Sequence, residues 1–293
     1  MVRIVTDSVA DLPAAVVEEL GITVVPLIVR FGTEEYRDGI DLSTEEFYEK
    51  LKHSPHFPIT ATPSPQDFAD AYDRLAESSD AVLVIMLSAR LSGTHQVALK
   101  GRELMKRRCR VEVLDSRLAT MAEGFVVMKA AEAARGGASL EQALEAARAA
   151  IPRADMLSCF DTLEFLRRGG RIGAAQAFLG SMLKIQPMIA LREGVVMPAG
   201  RTRSRSKAVD RLYEYVAGYA RIEKLAVENT ACPEEAEALR ERLGALHPRE
   251  RIYSSKMTPV IGAHTGPGLL LVAVLGDRRP GGAAPPEKAA SDE

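Results

Sequence analysis

The chain has 293 residues, of which 46% are hydrophobic, 27% charged and only 5% aromatic, and its formal net charge is −2. This length allows two domains, and the near-neutral charge argues against a nucleic-acid partner. The cysteines Cys109, Cys159 and Cys232 form no CxxC pair, which argues against a cysteine metal site and for a reducing compartment. Because the N-terminus is strand-like and no apolar run approaches the roughly 20 residues that span a bilayer, we expect a cytoplasmic protein without stable membrane insertion.

The first half of the chain alternates predicted strands and helices. Strands are predicted at residues 2–6, 23–31, 81–87 and 111–114, and Pro26 limits the second of them to an edge or bulged position. Helices are predicted at residues 13–20, after the N-caps Ser43 and Ser64, after Ser92, and at 119–135 and 139–150. This alternation predicts a doubly wound, mostly parallel α/β domain over residues 1–152.

The Ile151-Pro152 pair interrupts this pattern and marks the predicted domain boundary. Residues 153–277 are predicted to form a second, smaller α/β domain, with an apolar helix at 174–190, a βαβ unit after residue 224 and a Gly-rich loop at 261–268. Residues 278–293 have no hydrophobic periodicity, so we expect a disordered tail.

The strand at 81–87 leads into Ser92-Gly93-Thr94, where a helix is predicted to begin. Free N–H groups and the positive end of the helix dipole at such a start suit a carboxylate or a phosphate. An ordinary serine N-cap is the alternative interpretation. Two other strands end in Asp7-Ser8 and Asp115-Ser116, which indicates either a shared crevice at one sheet edge or simple turn chemistry.

Nucleotide-binding and metal-binding patterns are absent from the sequence. There is no Walker motif, no G-x-G-x-x-G after the first strand and no metal-ligand spacing, so neither a metal nor a cofactor is predicted. His264 lies among glycines, where backbone can approach a ligand closely. A triad of Ser92, His264 and Asp7 or Asp115 can be written, but Ser92 is outside a G-x-S-x-G motif, which disfavours hydrolysis.

Eight short motifs, taken together, resemble the DegV family, whose members bind fatty acids for bacterial fatty acid kinase. They occur in the family's order between residue 3 and about residue 276. The motifs are Thr6-Asp7-Ser8 with Asp11-Leu12-Pro13, Thr60-Ala61-Thr62-Pro63-Ser64-Pro65, Leu91-Ser92-Gly93-Thr94, Asp115-Ser116, Thr162-Leu163-Glu164-Phe165-Leu166 with Gly169-Gly170-Arg171-Ile172-Gly173, Ile185-Gln186-Pro187, Arg203-Ser204-Arg205 and His264-Thr265-Gly266-Pro267-Gly268.

The resemblance implies a two-domain α/β protein that holds a long-chain fatty acid between or beneath its domains. The residues that it implies for the carboxylate are Thr60, Ser92, Gly93, Thr94 and His264. Arg171, Ala61 and Thr62 would support them, although Ala61-Thr62 stands where the family has Ser-Gln. The acyl tail is expected near Ala177, Phe178, Leu179, Met182 and Ile185, and low aromatic content with ten methionines suits an adaptable tunnel.

The resemblance also implies a separate ATP-dependent kinase that docks at Arg203 and Arg205 and phosphorylates the bound fatty acid. The Arg201, Arg203 and Arg205 cluster could instead be a solvated face. On this interpretation the chain is a binding component, monomeric when free and without catalytic residues of its own. The alternative is a covalent phosphotransfer or hydrolase subunit that uses His264 or Ser92.

Overall fold

The computed structural model describes residues 1–181 and 185–279, which contain three β-sheets with helices packed around them. The strands are β1 Val2–Asp7, β2 Thr23–Val25, β3 Ile28–Phe31, β4 Glu34–Arg37, β5 Ile59–Ala61, β6 Ala81–Met86, β7 Arg110–Asp115, β8 Ala154–Cys159, β9 Gln186–Arg192, β10 Val195–Thr202, β11 Tyr219–Asn229, β12 Ile252–Lys256 and β13 Leu270–Arg278. The helices are α1 Ala14–Leu20, α2 Thr44–His53, α3 Pro65–Leu75, α4 Thr94–Leu104, α5 Thr120–Arg135, α6 Leu140–Ala150, α7 Glu164–Arg168, α8 Arg205–Ala217, α9 Pro233–Leu243 and α10 Pro259–Thr265.

The first sheet is parallel and has the order β2-β1-β6-β7. The second sheet has the order β10-β9-β8-β13-β11-β12 and is antiparallel except for the β11–β12 pair. A third, antiparallel sheet has the order β4-β3-β5. The predicted α/β architecture with a parallel N-terminal sheet and a second sheet-containing unit is therefore confirmed.

One hydrophobic cluster joins the two large sheets through α5. It contains Ile4 and Ile85 from the first sheet, Phe125 from α5, and Met156 and Leu271 from the second sheet. Most residues of α5 are buried, because this helix has apolar neighbours on almost every side. The boundary at residue 152 stays a prediction, and residues 280–293 of the expected tail lie outside the described residues.

Several helix starts follow from local sequence alone. Ser43, Ser64 and Ser139 each form a reciprocal capping box with the residue three positions later, which is Glu46, Asp67 and Gln142 respectively. These side chains satisfy N–H groups that the first helical turn leaves without partners. None of the helices in the described ranges is long and apolar enough to cross a membrane.

The predicted single strand at 23–31 was wrong, because the chain divides at Pro26. β2 pairs with β1 in the parallel sheet, whereas β3 pairs with β4 and β5 in the third sheet. Proline has no N–H to donate to a sheet ladder, which favours a break in strand pairing at that position.

The predicted helix at 174–190 was also wrong. Gly173–Ser181 is a 3-10 helix, and the segment from Gln186 onwards is strand β9, which lies between β8 and β10. Both faces of β9 are buried, so its sequence is a continuous apolar run. Such a run does not distinguish a buried strand from a buried helix.

The predicted Gly-rich loop at 261–268 is a helix over most of its length, since α10 ends at Thr265. Thr258 is its N-cap residue and Pro259 occupies the first helical turn, where proline is favoured. Gly262 is required for packing, because a Cβ atom there would lie 2.7 Å from both Phe47 and Tyr48 side-chain atoms.

Candidate ligand-binding cavity

A cavity with about 770 Å³ of space free of protein atoms, part of it open to solvent, is lined by residues of the second sheet, of β5, α5 and α10, and of the segments that follow β1 and β6. Its wall is mainly aliphatic, and the second sheet contributes a large part of it. The lining residues of this sheet come in pairs that are two positions apart, namely Met156 and Ser158, Ile189 and Leu191, and Leu269 and Leu271. Alternate residues of a strand point to the same side, so one face of the second sheet forms a wall of the cavity.

Four of the predicted site residues lie together on the cavity wall. Thr60 is on β5, Ser92 precedes α4, Arg171 follows α7, and His264 is in the last turn of α10. Thr60 Oγ1 lies 2.8 Å from His264 Nε2, although the two residues are 204 positions apart. The fold therefore brings a hydroxyl from one half of the chain against an imidazole from the other.

Arg171 is oriented by two backbone carbonyls. Its Nε donates to the Leu91 carbonyl at 3.0 Å, and its Nη1 donates to the Gly169 carbonyl at 2.7 Å. Leu91 directly precedes Ser92, so the guanidinium is fixed beside the Ser92 segment. It supplies a positive charge to an otherwise apolar cavity.

Ser92 and Thr94 form a local hydroxyl pair at the start of α4. Their Oγ atoms are 2.8 Å apart, and Ser92 Oγ also accepts from the Thr94 N–H at 3.3 Å. Gly93 is the N-cap residue and has no side chain to cap the first turn. The helix start can therefore offer N–H groups and a hydroxyl to an anion, and its binding of a carboxylate stays a prediction.

His264 is held in its neutral form. Burial and the nearby Arg171 charge lower the pKa of His264 to about 4. Its Nδ1 is buried and has no hydrogen-bond partner among the described residues. When Nε2 carries the ring proton, it donates to Thr60 Oγ1, which leaves the Thr60 O–H free to donate to a ligand.

The ring of His264 fits because residue 169 is glycine. A Cβ atom at Gly169 would overlap Nδ1 and lie 3.0 Å from Cε1 of the ring. Gly169 has φ −72° and ψ −8°, a conformation open to any residue, so the steric contact alone requires glycine. The sequence did not reveal this positioning role, because Gly169 stands there only as one member of a Gly-Gly-Arg motif.

The described residues do not assemble the hydrolytic triad that can be written from the sequence. Ser92 Oγ contacts Thr94, and His264 Nδ1 has no partner. Asp7 accepts from the Val9 and Leu87 N–H groups, each at 2.9 Å. Ser92 therefore has no hydrogen-bonded base of the kind that nucleophilic catalysis requires.

The Asp-Ser strand ends do meet at one sheet edge, and their carboxylates hold turns there. Asp7 accepts from the Leu87 N–H after β6, and Asp115 accepts from the Ala89 N–H at 3.1 Å. Both carboxylates fix the loop that leads from β6 to Ser92. Their contribution to the candidate site is positional.

Other predicted site residues adjoin the cavity without lining it. Thr62 approaches Gly93, where a Cβ atom would lie 3.8 Å from the Thr62 methyl group. Thr94 is fully buried behind Ser92, and Ala61 pairs with Ile28 in the third sheet. Across the described chain, no group of three or more His, Cys, Asp or Glu side chains could hold a metal ion.

The expected tail-binding residues that the structure describes are not among the residues that line the cavity. The described lining does not include Ala177, Phe178, Leu179 or Ile185, and Met182 lies outside the described residues. Phe178 is instead part of the main hydrophobic cluster. Once β8, β9 and β13 were recognised as strands, the alternation of side-chain direction along a strand could have indicated which of their residues share the face that forms the wall.

Two arginines of the basic run, Arg203 and Arg205, differ in solvent exposure and in contacts. Arg203 is exposed, whereas the Arg205 side chain is only 22% exposed. Arg205 Nε donates to Glu235 at 2.7 Å, and its other nitrogens lie 3.4 Å from Cys159 Sγ and 3.6 Å from Cys232 Sγ. Arg205 thus joins α8, α9 and the second sheet, whereas the Arg203 side chain is exposed.

Comparison with known proteins gives concordant matches. The family model described as "Uncharacterised protein, DegV family" matches residues 1–277. A DegV domain-containing protein of Streptomyces coelicolor is 41% identical over 285 residues, covering 93% of this chain and 98% of that protein.

Two solved structures are similar over nearly the whole described fold. A DegV family protein from Thermus thermophilus, described by its fatty acid binding, has a TM-score of 0.87 at 35% identity and covers 94% of this chain and 99% of its own. DegV from Bacillus subtilis, described as a fatty acid binding protein, has a TM-score of 0.85 at 33% identity with the same coverage.

Proposed function

The chain belongs to the DegV family, as its motifs predicted, and on that premise we propose that it binds a long-chain fatty acid in the cavity. The observation that carries this proposal is an aliphatic cavity whose wall includes the Thr60, Ser92, Arg171 and His264 cluster. The fatty acid binding described for the Thermus thermophilus and Bacillus subtilis proteins supports it.

Elementary energetics agree with such a ligand. Burial of methylene groups contributes roughly 0.8 kcal/mol each, so a long acyl chain offers on the order of 10 kcal/mol before ordering costs. A carboxylate cannot be buried without donors or a countercharge. The donors would be the hydroxyls of Thr60 and Ser92 and the N–H groups at the start of α4. The countercharge would be the Arg171 guanidinium.

We further propose that the bound carboxylate is presented to a separate ATP-dependent fatty acid kinase, which converts it to an acyl-phosphate. Thr60 and Ser92 are both half-buried, which supports access to the head group from outside. The sequence has no Walker motif with which to bind ATP itself. His264 and Ser92 act as binding groups in this scheme, without a covalent intermediate.

Mass spectrometry of the purified chain tests the proposed ligand directly. Denaturation is expected to release a long-chain fatty acid, identified against lipid standards, and the denatured chain should then have its sequence mass. A mass increment that survives denaturation and maps to His264 or Ser92 would support the covalent alternative instead.

The variant Ser92→Ala is expected to weaken fatty-acid affinity by roughly 10- to 100-fold, because a hydrogen bond to a charged group contributes about 1.5–3 kcal/mol. Calorimetric titration of delipidated protein with oleate would measure the change. Ser64→Ala is the matched control, since it removes an exposed N-cap hydroxyl outside the cavity. The control should lower stability by about 1 kcal/mol and leave affinity unchanged; equal affinities for the two variants would refute the head-group assignment.

The variant Arg203→Ala is expected to leave fatty-acid binding unchanged and to slow acyl-phosphate formation by a fatty acid kinase. The reason is that Arg203 is exposed and remote from the cavity lining, so it can contribute only through a partner. Phosphorylation assays at several concentrations of the binding protein would separate docking from turnover.

Arg205→Ala provides the structural comparison for that assay. It removes the bridge to Glu235 and leaves buried cysteine sulfurs without a neighbouring cation, so its main effect should be a lower melting temperature. Unchanged kinase kinetics for Arg203→Ala would show that the residue belongs to an ordinary solvated face.

A further inference from the structure

The described lining of the cavity contains three hydroxyl groups besides those of Thr60 and Ser92. They belong to Thr120, Ser158 and Thr265, and their neighbours in the lining are mostly aliphatic. Each of the three residues is at most 8% exposed, and Ser158 is fully buried. The methylene groups of an acyl chain form no hydrogen bonds, so a plain fatty acid does not account for hydroxyls in the wall around it.

The Ser158 hydroxyl has its proton engaged and its acceptor positions open. Ser158 Oγ donates to the Ile189 carbonyl at 3.0 Å. No N–H or O–H group in the described ranges donates to Ser158 Oγ in return. A hydroxyl oxygen has two lone pairs, so this oxygen can still accept a hydrogen bond from a ligand. Thr265 differs, since its Oγ1 donates to the Ile261 carbonyl at 2.9 Å within α10.

The Ser158 side chain points into the cavity. Met156, Ser158 and Phe160 are alternate residues along β8 and the position just after it, and all three line the cavity. Alternate side chains of a strand lie on the same face of the sheet. A serine side chain consists only of Cβ and the hydroxyl, so the hydroxyl is the polar group that this position presents to a ligand.

The register of the second sheet places Ser158 inward of the proposed head-group residues. Ser158 pairs with Leu271 in the antiparallel β8–β13 ladder. The chain leaves β8 towards Arg171 and enters β13 from His264, so both residues are connected to the same end of this pair of strands. Ser158 is two residues inside that end, counted from Phe160, which corresponds to about 7 Å along a strand. A ligand whose carboxylate contacts Arg171 and His264 would therefore pass Ser158 with its acyl chain.

The polar surface continues at Thr120. Its Oγ1 lies 3.9 Å from the sulfur of Met156, the next alternate residue of β8, and its hydroxyl also lies near the Glu228 carboxyl. Thr120 has φ +58°, a left-handed conformation that β-branched residues rarely adopt. The fold thus holds a second hydroxyl-bearing residue on this wall against its backbone preference.

We propose that Ser158 makes the cavity a site for long-chain fatty acids that carry a hydroxyl group within the acyl chain, an inference that rests on the proposed function. The ligand hydroxyl donates to Ser158 Oγ, while the Ser158 proton stays with the Ile189 carbonyl. An oxo group at the same carbon is an acceptor only, so it would meet a second acceptor without a proton between them. A wholly aliphatic wall would disfavour both ligands, because a buried polar group without a partner is costly.

The test is calorimetric titration of the delipidated full chain with stearate and with hydroxystearates whose hydroxyl group occupies successive interior carbons. We expect a narrow group of isomers to bind at least as tightly as stearate. Isomers whose hydroxyl meets only apolar side chains should bind roughly 10-fold more weakly or worse. The oxostearate that matches the tightest isomer should bind roughly 10-fold more weakly than that isomer.

Ser158→Ala should lower the ratio of hydroxystearate affinity to stearate affinity by roughly 10-fold for the tightest isomer. Ser158→Cys keeps a side chain of similar size and replaces the hydroxyl by a weakly hydrogen-bonding thiol, so the ratio should fall in the same direction. Ser255→Ala is the matched control, since Ser255 is buried, donates to the Asp11 carbonyl at 2.6 Å and is not among the residues that line the cavity. It should keep the wild-type ratio.

The same titrations separate this inference from the proposed function. Tight binding of stearate together with uniformly weaker binding of every hydroxystearate would keep the proposed function and overturn the inference. A hydroxystearate preference that persists in Ser158→Ala and Ser158→Cys would overturn the assignment to Ser158. Failure of stearate and all its derivatives to bind would overturn both.

Discussion

Replacing Gly169 by alanine is expected to weaken fatty-acid affinity by roughly tenfold and to lower the melting temperature by a few degrees. The added Cβ atom would overlap the His264 ring, which is packed in the protein and must move away from Thr60. Loss of one buried hydrogen bond accounts for about 1 kcal/mol. Because the backbone at Gly169 has ordinary helical angles, alanine itself introduces no backbone strain.

Gly136→Ala is the matched control for that experiment. Gly136 follows α5 with φ −74° and ψ 3°, nearly the same conformation as Gly169, and a Cβ atom there meets only backbone carbonyls, the nearer at 3.3 Å. Oleate titration of both delipidated variants should show a defect only for Gly169→Ala. Equal affinities would mean that the position of His264 does not determine head-group binding.

The substitution Val196→Phe is expected to reduce affinity for long-chain fatty acids by roughly 100-fold. Val196 lies on β10, is 6% exposed and lines the cavity, so a phenyl ring would fill space needed for the acyl chain. Excluding about four methylene groups forgoes about 3 kcal/mol of burial. Filling an empty cavity is itself stabilising, so the apo variant should melt at or above the wild-type temperature.

Val97→Phe controls for the added ring. Val97 is half-buried on α4 and packs on a cluster outside the cavity. Titration with a series of fatty acids should show that Val196→Phe loses affinity most for long chains and least for short ones. A uniform loss across chain lengths would indicate general unfolding, and unchanged affinity would place the acyl chain elsewhere.

Local chemistry explains which elements could be predicted. The capping boxes at Ser43, Ser64 and Ser139 and the strand ending at Asp7 depend on residues within a few positions of one another. The site residues Thr60 and Ser92 also follow from short motifs. Their hydroxyl groups are able to hydrogen-bond to a carboxylate, although the sequence also left a covalent role for Ser92 open.

The failed predictions involve segments whose environment is not local. The apolar run at β9 is a strand because β8 and β10 pair with it on both sides, which no pattern within the run can indicate. Similarly, α10 is a helix whose start is held by Asp11 and Asp38, more than 200 positions away. Tertiary contacts thus override the Gly-rich composition of that segment.

By itself the sequence determined the α/β class, the starts of α2, α3 and α6, and the resemblance to the DegV family, and it named hydroxyl, imidazole and guanidinium groups as candidates for holding a carboxylate. Only the tertiary structure decided that Thr60 meets His264, that Arg205 is occupied within the protein, and that Asp11 and Asp38 hold the start of α10. The physical reason is that periodicity and capping depend on neighbouring residues, whereas burial and the charge state it imposes depend on which distant segments pack together.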